Sequence, residues 1–256
     1  MTQKIHPTAC IADHVTLGEN ITIGPFAVLE ENVELGDDCQ IGSHAVVQSY
    51  VKMGQGNILH PHVVLGGLPQ DTSFKAETIS WLKIGDGNVF REGFTAHRSA
   101  TENEVTQIGS GSFFMNNSHV AHDSSVGDAS IFANNVAIGG HVEVGDKVFM
   151  GGNAVVHQFC RIGSYAIVRG TTGVSKDVIP FMLVGGWPVR HYKLNSVALR
   201  RAGITGTRFK VLSAAFKLLK KKESLDSLQE TEEIKMLQKW LSVKSKRGLH
   251  GFKELD

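Results

Sequence analysis

A six-residue repeat constrains this chain more than any other feature of its sequence. Apolar residues recur at every sixth position over residues 5–65, again over 84–96, and without interruption over 108–174. A small or β-branched residue usually stands four positions after each of them, and Gly often follows directly. Six residues are too few for a helical repeat and do not match a heptad, but they suit a short strand followed by a tight turn. The repeat therefore predicts an all-β domain, a parallel β-helix with three strands in each coil.

The apolar and small positions are expected to point inward, while Gly, Asn and Asp serve the turns. There are 26 inward apolar positions in the sequence, which at three per coil and a strand spacing of roughly 4.8 Å give a prism about 40 Å long. Cys39 and Cys160 occupy the inward small positions, and we interpret them as core residues. With Cys10 they make three distant cysteines without a CxxC motif, which favours neither a disulfide framework nor a zinc site.

The composition is that of a globular chain, with 41% hydrophobic and 20% charged residues. Residues 1–6 contain no apolar stretch of the kind found in a secretory signal. No apolar run is long enough to cross a bilayer. We therefore expect a cytoplasmic protein without stable membrane insertion.

Two segments interrupt the repeat without disturbing it on either side, namely residues 66–83 and 99–107. Loops that leave a strict solenoid usually serve binding or assembly. We expect the first loop to be functional. The second could equally pack against a neighbouring subunit.

The repeat ends after Pro180, so the β-helix is predicted to occupy residues 1–184. Residues 190–256 then show helical spacing, with apolar stripes that predict three or four packed helices. This segment holds 16 Lys and Arg against 7 Asp and Glu, a balance of +9, which leaves −8 on the rest of the chain. The asymmetry predicts a basic face for an acidic partner. Nucleic acid is not expected, because the aromatic stacking residues of single-strand binders are lacking.

Four histidines in the middle of the repeat fall outside the inward positions: His119, His122, His141 and His157. Residues 18 apart should stack in successive coils, which brings His122 close to Gly140 and His141. Such a row can be a solvated surface, a set of metal ligands, or a catalytic and substrate-binding row. The clustering disfavours the first interpretation for the set, although not for His157 alone.

His122 is the strongest candidate for a general base, because Asp123 follows it. A carboxylate can fix the tautomer of an imidazole and raise its basicity, although neighbouring side chains on a strand diverge. One coil further on, Gly139 and Gly140 leave backbone N–H groups uncovered, as an oxyanion donor requires. Tight turning of the coil explains these glycines equally well.

These motifs resemble one family, the UDP-N-acetylglucosamine O-acyltransferases of lipid A biosynthesis. The resemblance extends over essentially the whole chain. It rests on the segments Ile5-His6-Pro7-Thr8-Ala9, Gln70-Asp71, Asn88 with Arg91-Glu92, His119-Val120-Ala121-His122-Asp123, Gly140-His141-Val142, Val156-His157-Gln158-Phe159-Cys160, and Asn195 with Arg201.

The resemblance implies a left-handed β-helix in a homotrimer that transfers a 3-hydroxyacyl chain from acyl carrier protein to the 3-OH of UDP-N-acetylglucosamine. In this scheme His122 is the general base, Asp123 orients it, and the Gly140 N–H faces the thioester oxygen. The substrate contacts implied by the resemblance are Gln70, Asp71, His119, His141, His157, Gln158, Asn195 and Arg201. No metal and no other cofactor is implied, since the acyl donor is a phosphopantetheine thioester.

Gly170 falls where members of the family set the depth of the acyl channel, and a Gly there implies a long channel. The carrier protein is expected to dock on the basic C-terminal segment, at Arg200, Lys217, Lys220, Lys221 and Lys222. Two nucleotide contacts of the family are replaced, by Val197 and Ala202, and the loop lysine is displaced to Lys75.

Three other functions fit parts of the pattern. One is a zinc enzyme of the γ-carbonic-anhydrase type with three histidines at a subunit interface. Another is an acetyltransferase that uses coenzyme A, for which a shorter helical tail is expected. The third is a scaffold without catalysis, because a repeat specifies only shape. A C3 homotrimer is expected for the acyltransferase, since an outer histidine row forms a half-site and Phe113 and Met115 are apolar outward residues.

Overall fold

The computed structural model describes residues 3–253, and the fold in this range is a three-sided parallel β-helix followed by a hairpin and three helices. The predicted first residue of the β-helix, 1, and the predicted last residue of the helical segment, 256, lie outside the described range. The strands form three sheets.

The first sheet has 11 strands, all parallel except the last. They are β1 (Lys4–Ile5), β4 (Thr22–Ile23), β7 (Gln40–Ile41), β10 (Ile58–Leu59), β13 (Val89–Phe90), β16 (Phe113–Phe114), β19 (Ile131–Phe132), β22 (Phe149–Met150), β25 (Ile167–Val168), β27 (Met182–Gly185) and β28 (Arg190–Leu194).

The second sheet has nine strands and the third has eight. The second contains β2 (Cys10–Ile11), β5 (Val28–Leu29), β8 (Val46–Val47), β11 (Val64–Gly67), β14 (Thr95–His97), β17 (His119–Val120), β20 (Ala137–Ile138), β23 (Val155–Val156) and β26 (Gly173–Val174). The third contains β3 (Thr16–Leu17), β6 (Glu34–Leu35), β9 (Val51–Met53), β12 (Trp81–Ile84), β15 (Val105–Ile108), β18 (Ser125–Val126), β21 (Glu143–Val144) and β24 (Arg161–Ile162).

Every one of the 26 predicted inward positions lies on its own strand, β1 to β26, so the repeat is confirmed. Coils without an insertion stack with residues 18 apart in register, as in Val120 against Ile138. The two loops lengthen this spacing, as in Val64 against Thr95 and Thr95 against His119. The inner face is filled by aliphatic residues and a phenylalanine stack, and Cys39 and Cys160 are fully buried within it. The handedness of the coil stays a prediction.

The turns share one local conformation over most of the β-helix. Most corners place a residue in the left-handed backbone region, and Asn, Asp or His often occupies it, as at Asn135, Asp123 and His141. Polar residues of this kind tolerate that region because their side chains bond locally. A Cβ at Gly127 would lie 2.9 Å from the backbone of the next coil, which explains a Gly after an inward residue.

The two predicted loops are present, but all four of their ends differ from the predicted ones. Gly66 and Gly67 extend β11, and residues 81–83 extend β12, so the first loop covers 68–80 rather than 66–83. The second loop covers 98–104 rather than 99–107, because residues 105–107 belong to β15 and pair with β12. Strand pairing between the two interrupted coils therefore continues beyond the point where the hexapeptide pattern fades.

The C-terminal segment does not begin with a helix at residue 190. Residues 190–194 form β28, which pairs antiparallel with β27. The helices are α1 (Ser196–Arg201), α2 (Gly206–Lys221) and α3 (Glu232–Ser242). The predicted stripes are confirmed, since Leu212 and Ala215 of α2 are buried with Ile234 and Leu237 of α3 in a second core. None of these helices in residues 3–253 has the length and hydropathy of a membrane span.

Two buried histidines join the hairpin to the end of the chain. His191 accepts a hydrogen bond from the Ile179 N–H at Nε2 (3.0 Å), and its Nδ1 lies 3.0 Å from the His250 carbonyl oxygen. His250 accepts from the Lys176 N–H (3.2 Å). Burial lowers the pKa of each imidazole to about 4. Both rings are therefore neutral at pH 7, as these hydrogen bonds require.

Candidate active site

One edge of the prism carries everything that interrupts its regularity. We call it the loop corner, the edge where the nine-stranded sheet turns into the eight-stranded sheet. The loop 68–80 leaves this edge between β11 and β12, and the loop 98–104 leaves it between β14 and β15. The turn between β17 and β18 comes next, and it contains His122. Three successive coils thus present two loops and the candidate base at one place.

His122 and Asp123 are in contact, as the base hypothesis requires. His122 Nδ1 lies 2.7 Å from Asp123 Oδ2, and both side chains are about one tenth exposed. An ionised carboxylate can only accept a hydrogen bond, so the proton is on Nδ1. The Nε2 lone pair of His122 is therefore available to remove a proton from a substrate.

Asp123 is held by more than the histidine. The Ser99 hydroxyl donates to Oδ1, and the Ala100 N–H donates to Oδ2 (3.2 Å). The Asp123 N–H donates to Thr106 Oγ1 (2.7 Å). Burial opposes ionisation of this carboxyl, but Ser99, His122 and Ala100 outweigh it and keep the pKa of Asp123 below its ordinary value. Asp123 is an anion at neutral pH.

Gly140 faces the His122 ring, and only Gly fits there. A Cβ at residue 140 would lie 2.8 Å from His122 Cε1 and 2.9 Å from Nε2. Within residues 3–253 the Gly140 N–H has no acceptor, whereas the Gly139 N–H donates to the Val156 carbonyl (2.9 Å). Two glycines were considered as oxyanion donors. Gly139 is not available for this role, because its N–H is hydrogen-bonded to the next coil.

His141 closes the site one coil above His122. Its Nε2 lies 3.8 Å from Asp123 Oδ2, and its ring meets the His122 ring edge-on at 5.4 Å between centroids. The other face of His141 stacks on Phe159 at 4.6 Å. The stack fixes the imidazole plane and leaves its edge half-exposed toward the site.

His119 lies on β17 with its Nδ1 2.7 Å from Thr95 Oγ1. Its ring packs edge-on against His97 at 4.6 Å, a residue that sequence reasoning missed. Burial, together with the nearby His119 and His122, lowers the pKa of His97 to about 4. Its Nδ1 is buried without a hydrogen-bond partner in residues 3–253. The sequence did contain a signal for His97, because it is a His that directly follows an inward position and directly precedes a loop.

The first loop carries Gln70 and Asp71. Asp71 accepts hydrogen bonds from the Ser73 N–H (2.8 Å) and hydroxyl (2.7 Å), and these lower its pKa, with smaller contributions from the fields of His122 and His141. Gln70 is exposed.

A buried arginine anchors this loop to the second one. Arg98 donates to the carbonyls of Thr78 (2.8 Å) and Ala76 (3.3 Å). Its guanidinium lies over the rings of Tyr50 and Phe74, at 5.1 and 5.4 Å. The loop that carries Asp71 is therefore tied to residues 97–99, which surround the site.

His157 and Gln158 continue the loop corner away from His122. Val155 and Val156 pair with Ala137 and Ile138, so His157 stands above Gly139 and Gln158 above Gly140. Both are exposed. The only hydrogen bond of the His157 ring in residues 3–253 is within its own turn, to the Gln158 carbonyl (3.2 Å). The structure does not join His157 to His141.

Asn195 and Arg201 are separated from His122 in this chain. They line a cavity of about 640 Å³ on the 11-stranded sheet, with Phe149, Tyr165 and Lys193. Asn195 is also the N-cap of α1: it accepts from the Ala198 N–H (3.2 Å) and donates to the Tyr165 carbonyl (2.8 Å). Capping therefore engages the side-chain amide of Asn195, and its role in substrate binding stays a prediction. Val197 and Ala202 line the same cavity.

The residues expected to measure the acyl chain and to dock the carrier lie elsewhere. Gly170 is an exposed turn residue, and a Cβ there would lie 3.0 Å from the Gly152 carbonyl oxygen. Lys217 and Lys220 line a cavity of about 610 Å³ between β28 and α2. Lys221 ends α2, and Lys222 caps it in the left-handed conformation. Arg200 is exposed on α1.

The geometry around the His122–Asp123 pair, which we call the dyad, also fits a metal ion. His122, Asp123 and His141 offer one ligand atom each within 4.8 Å of one another. Two imidazoles and a carboxylate are a donor set that zinc accepts. The hydrogen bond between His122 and Asp123 occupies two of these donors, so a metal would have to replace the bridging proton.

The fold and the site together define a hexapeptide-repeat acyltransferase, and comparison with known proteins agrees. The family described as "Bacterial transferase hexapeptide (six repeats)" matches residues 32–67, and "Udp N-acetylglucosamine O-acyltransferase; Domain 2" matches residues 177–250. An acyl-[acyl-carrier-protein]–UDP-N-acetylglucosamine O-acyltransferase of Vibrio atlanticus is 48% identical over 85% of this chain and 83% of its own.

The same enzyme name belongs to a relative from Anaeromyxobacter sp. (strain Fw109-5), which is 43% identical over 64% of each chain. The structure of UDP-N-acetylglucosamine acyltransferase from Campylobacter jejuni superimposes with a TM-score of 0.88 at 30% identity, covering 98% of this chain and 100% of that one. This chain belongs to the acyl-[acyl-carrier-protein]–UDP-N-acetylglucosamine O-acyltransferase family, and it is an O-acyltransferase. The resemblance found in its motifs is thereby confirmed.

Proposed function

We propose that this protein transfers a 3-hydroxyacyl chain from acyl carrier protein to the 3-OH of UDP-N-acetylglucosamine in the cytoplasm, as the first step of lipid A biosynthesis, with His122 as general base. The names of the relatives support the substrates. The observation that carries the mechanism is the His122–Asp123 hydrogen bond of 2.7 Å, which in the neutral imidazole places the proton on Nδ1 and the lone pair on Nε2.

The reaction follows from this arrangement. His122 Nε2 takes the proton of the sugar hydroxyl as its oxygen attacks the thioester carbonyl carbon. The Gly140 N–H donates to the oxyanion of the tetrahedral intermediate. Asp123 stabilises the imidazolium that forms. Collapse of the intermediate breaks the C–S bond, and His122 returns the proton to the departing phosphopantetheine thiolate, so the base is regenerated.

The site needs more than one copy of the chain in this proposal. His122 lies at the loop corner, whereas Asn195 and Arg201 line a cavity on the 11-stranded sheet. A cyclic trimer places the loop corner of one subunit against a different face of its neighbour. A cleft between subunits would then combine Asp71, His119, His141, His157 and Gln158 with Asn195 and Arg201.

The proposal is tested by His122→Ala, with transfer measured from acyl carrier protein thioesters to radiolabelled UDP-N-acetylglucosamine. Loss of a general base lowers kcat by about 10²–10⁴-fold. Asp123 keeps its donors Ser99 and Ala100, so the variant should remain folded, which thermal unfolding checks. His62→Ala, an exposed turn histidine stacked on His44, is the matched control and should retain activity. A His122→Ala enzyme within a few-fold of wild type would exclude this base.

A metal-dependent enzyme is the second candidate, favoured by the spacing of His122, Asp123 and His141. Chelation separates the two proposals. Dialysis against EDTA should leave kcat unchanged if the bridging proton is present. Loss of activity on dialysis and recovery with Zn²⁺ would instead support a metal at the dyad.

A further inference from the structure

The loop 98–104 has no role in the proposed reaction, yet its first residues surround the catalytic carboxylate. Ser99 is fully buried, which is unusual for a serine in a surface loop. Its hydroxyl donates to Asp123 Oδ1, and its Oγ accepts the Thr101 N–H (3.0 Å). A hydroxyl has one proton to donate, and a second acceptor, the Thr101 carbonyl oxygen, lies 3.3 Å from Ser99 Oγ. The ionised Asp123 carboxylate is both the nearer and the stronger acceptor, so the proton goes to Oδ1.

The backbone of the loop is fixed at the same place. Ser80 Oγ donates to the Ser99 carbonyl, and the Ser99 N–H donates to the Trp81 carbonyl (3.3 Å). The next residue, Ala100, directs its N–H at Asp123 Oδ2 (3.2 Å). Each carboxylate oxygen thus has one donor from this turn, while Oδ2 also accepts from His122.

We propose that Ser99 is a positioning residue for the reaction and that the loop 98–104 exists to hold Asp123 against His122. This rests on the proposed role of His122 as the base. With both oxygens engaged, the carboxylate cannot rotate about its χ2 bond, and Oδ2 stays in the plane of the imidazole Nδ1–H. Without the Ser99 hydroxyl, Oδ1 loses its donor in a site where the Asp123 side chain is 10% exposed.

Two consequences separate positioning from a merely structural role. The Ser99 bond favours the ionised carboxyl, so its loss raises the pKa of Asp123. The acid limb of the pH profile of kcat/KM should then move to higher pH, because a protonated Asp123 no longer accepts from His122. The transition state needs the oriented imidazole more than substrate binding does, so kcat should fall about 10- to 100-fold with little change in KM.

The experiment compares Ser99→Ala, Ser99→Thr and Ser130→Ala. Ser130 is the matched control, because it is also fully buried, donates to a backbone carbonyl (Gly145, 3.3 Å) and accepts a backbone N–H (Val148, 3.1 Å), but it lies away from the loop corner. Ser99→Ala should show the loss of kcat and the shifted acid limb. Ser99→Thr, which keeps the hydroxyl, should restore both, and Ser130→Ala should show neither.

The carboxyl carbon of Asp123, titrated by NMR in the same variants, gives a readout without turnover. A rise of its pKa in Ser99→Ala alone supports the proposal. An unchanged Asp123 titration and an unchanged pH profile in a folded Ser99→Ala enzyme would overturn it, even if His122→Ala is inactive. An active His122→Ala enzyme would instead overturn the proposed base, while the Asp123 titration would still report on Ser99.

Discussion

At the scale of single residues, the site depends on which atoms are absent as well as on which are present. His122 has room only because residue 140 has no side chain, and the ring nitrogen that would act as base lies on the side where a Cβ would stand. The same glycine offers the backbone N–H that we assign to the oxyanion. The absence of a side chain at residue 140 therefore matters for two parts of the proposed mechanism, the base and the oxyanion donor.

We expect Gly140→Ala to lower kcat strongly without unfolding the protein. The new Cβ, at 2.8 Å from His122 Cε1, must displace the imidazole, and a shift of about 1 Å in a catalytic group can cost 10²-fold. Gly152→Ala is the matched control, a turn glycine at which a Cβ would lie 3.5 Å from the Asn134 carbonyl oxygen, an ordinary contact. Steady-state kinetics of both variants decide the matter, and equal activities would remove Gly140 from the site.

At this scale, site residues could be predicted from the sequence where the number of residues between them gives their relative position in the coils. His122, Asp123 and Gly140 could be predicted together because an uninterrupted 18-residue coil places residue 140 above residue 122. Ser99 and Ala100 could not, because they lie in an insertion, where the number of residues no longer gives the position in space. Asn195 was assigned to the substrate although an Asn directly before a helical stretch is a common N-cap.

At the scale of elements, two features of the C-terminal segment can be tested. One is helix α2, and the other is the joint that His191 and His250 form between the β27–β28 hairpin and residues 250–253. The last turn of α2 contains Lys220 and Lys221, and Lys222 caps it. Cations at a helix C-terminus are stabilising by themselves. The helix therefore gives these lysines a structural role that exists beside the proposed docking of a carrier protein.

Reversing Lys220, Lys221 and Lys222 to Glu should raise KM for the acyl carrier thioester and leave KM for UDP-N-acetylglucosamine nearly unchanged. Exposed charges attract an acidic carrier over roughly 8–10 Å at physiological salt, so the wild-type KM should also rise with ionic strength. Lys239→Glu on α3 is the control, and circular dichroism checks that α2 survives. If neither KM moves, docking occurs elsewhere, with Arg200 as the next residue to change.

Acid should weaken the joint formed by His191 and His250. Each has a pKa of about 4 in the fold, against an ordinary value near 6.5, so the unfolded chain binds more protons between these values. This stability is complete above pH 6.5 and is lost as the pH falls toward 4, by roughly 1 kcal/mol per histidine between pH 7 and 5.5. Urea unfolding at the two pH values measures it. A His191→Gln variant whose stability depends on pH as steeply as the wild type would contradict the assignment.

At the scale of the whole molecule, the loop corner and the cavity with Asn195 lie at different places on the prism. The dyad lies at the loop corner, and the cavity with Arg201 lies on the 11-stranded sheet. No bending of a stacked β-helix brings them together, because every coil is bonded to the next. The proposed reaction, in which both take part, therefore requires assembly of several chains.

Assembly predicts complementation between inactive variants. Refolding His122→Ala together with Arg201→Ala should restore activity at mixed interfaces, where an intact loop corner meets an intact cavity. Each variant refolded alone should stay inactive, and light scattering should report a trimer. A monomer that is active at assay concentration would refute the shared cleft, and so would a mixture as inactive as its components.

The two loops that leave consecutive coils have a consequence for how this chain tolerates change. In the coils, the direction of a side chain repeats with every coil of 18 residues. Losing one residue would therefore shift every later residue to a position that faces the wrong way. Residues 68–80 and 98–104 lie in loops outside the coils, so this restriction does not apply to them. They are the two places along the prism where residues can be added or removed without shifting the coils, provided that the bonded residues 98–100 are kept. Both leave the prism at the loop corner, which also holds His122, the proposed base. A change of substrate preference in this family would therefore need changes in these loops and not in the coils.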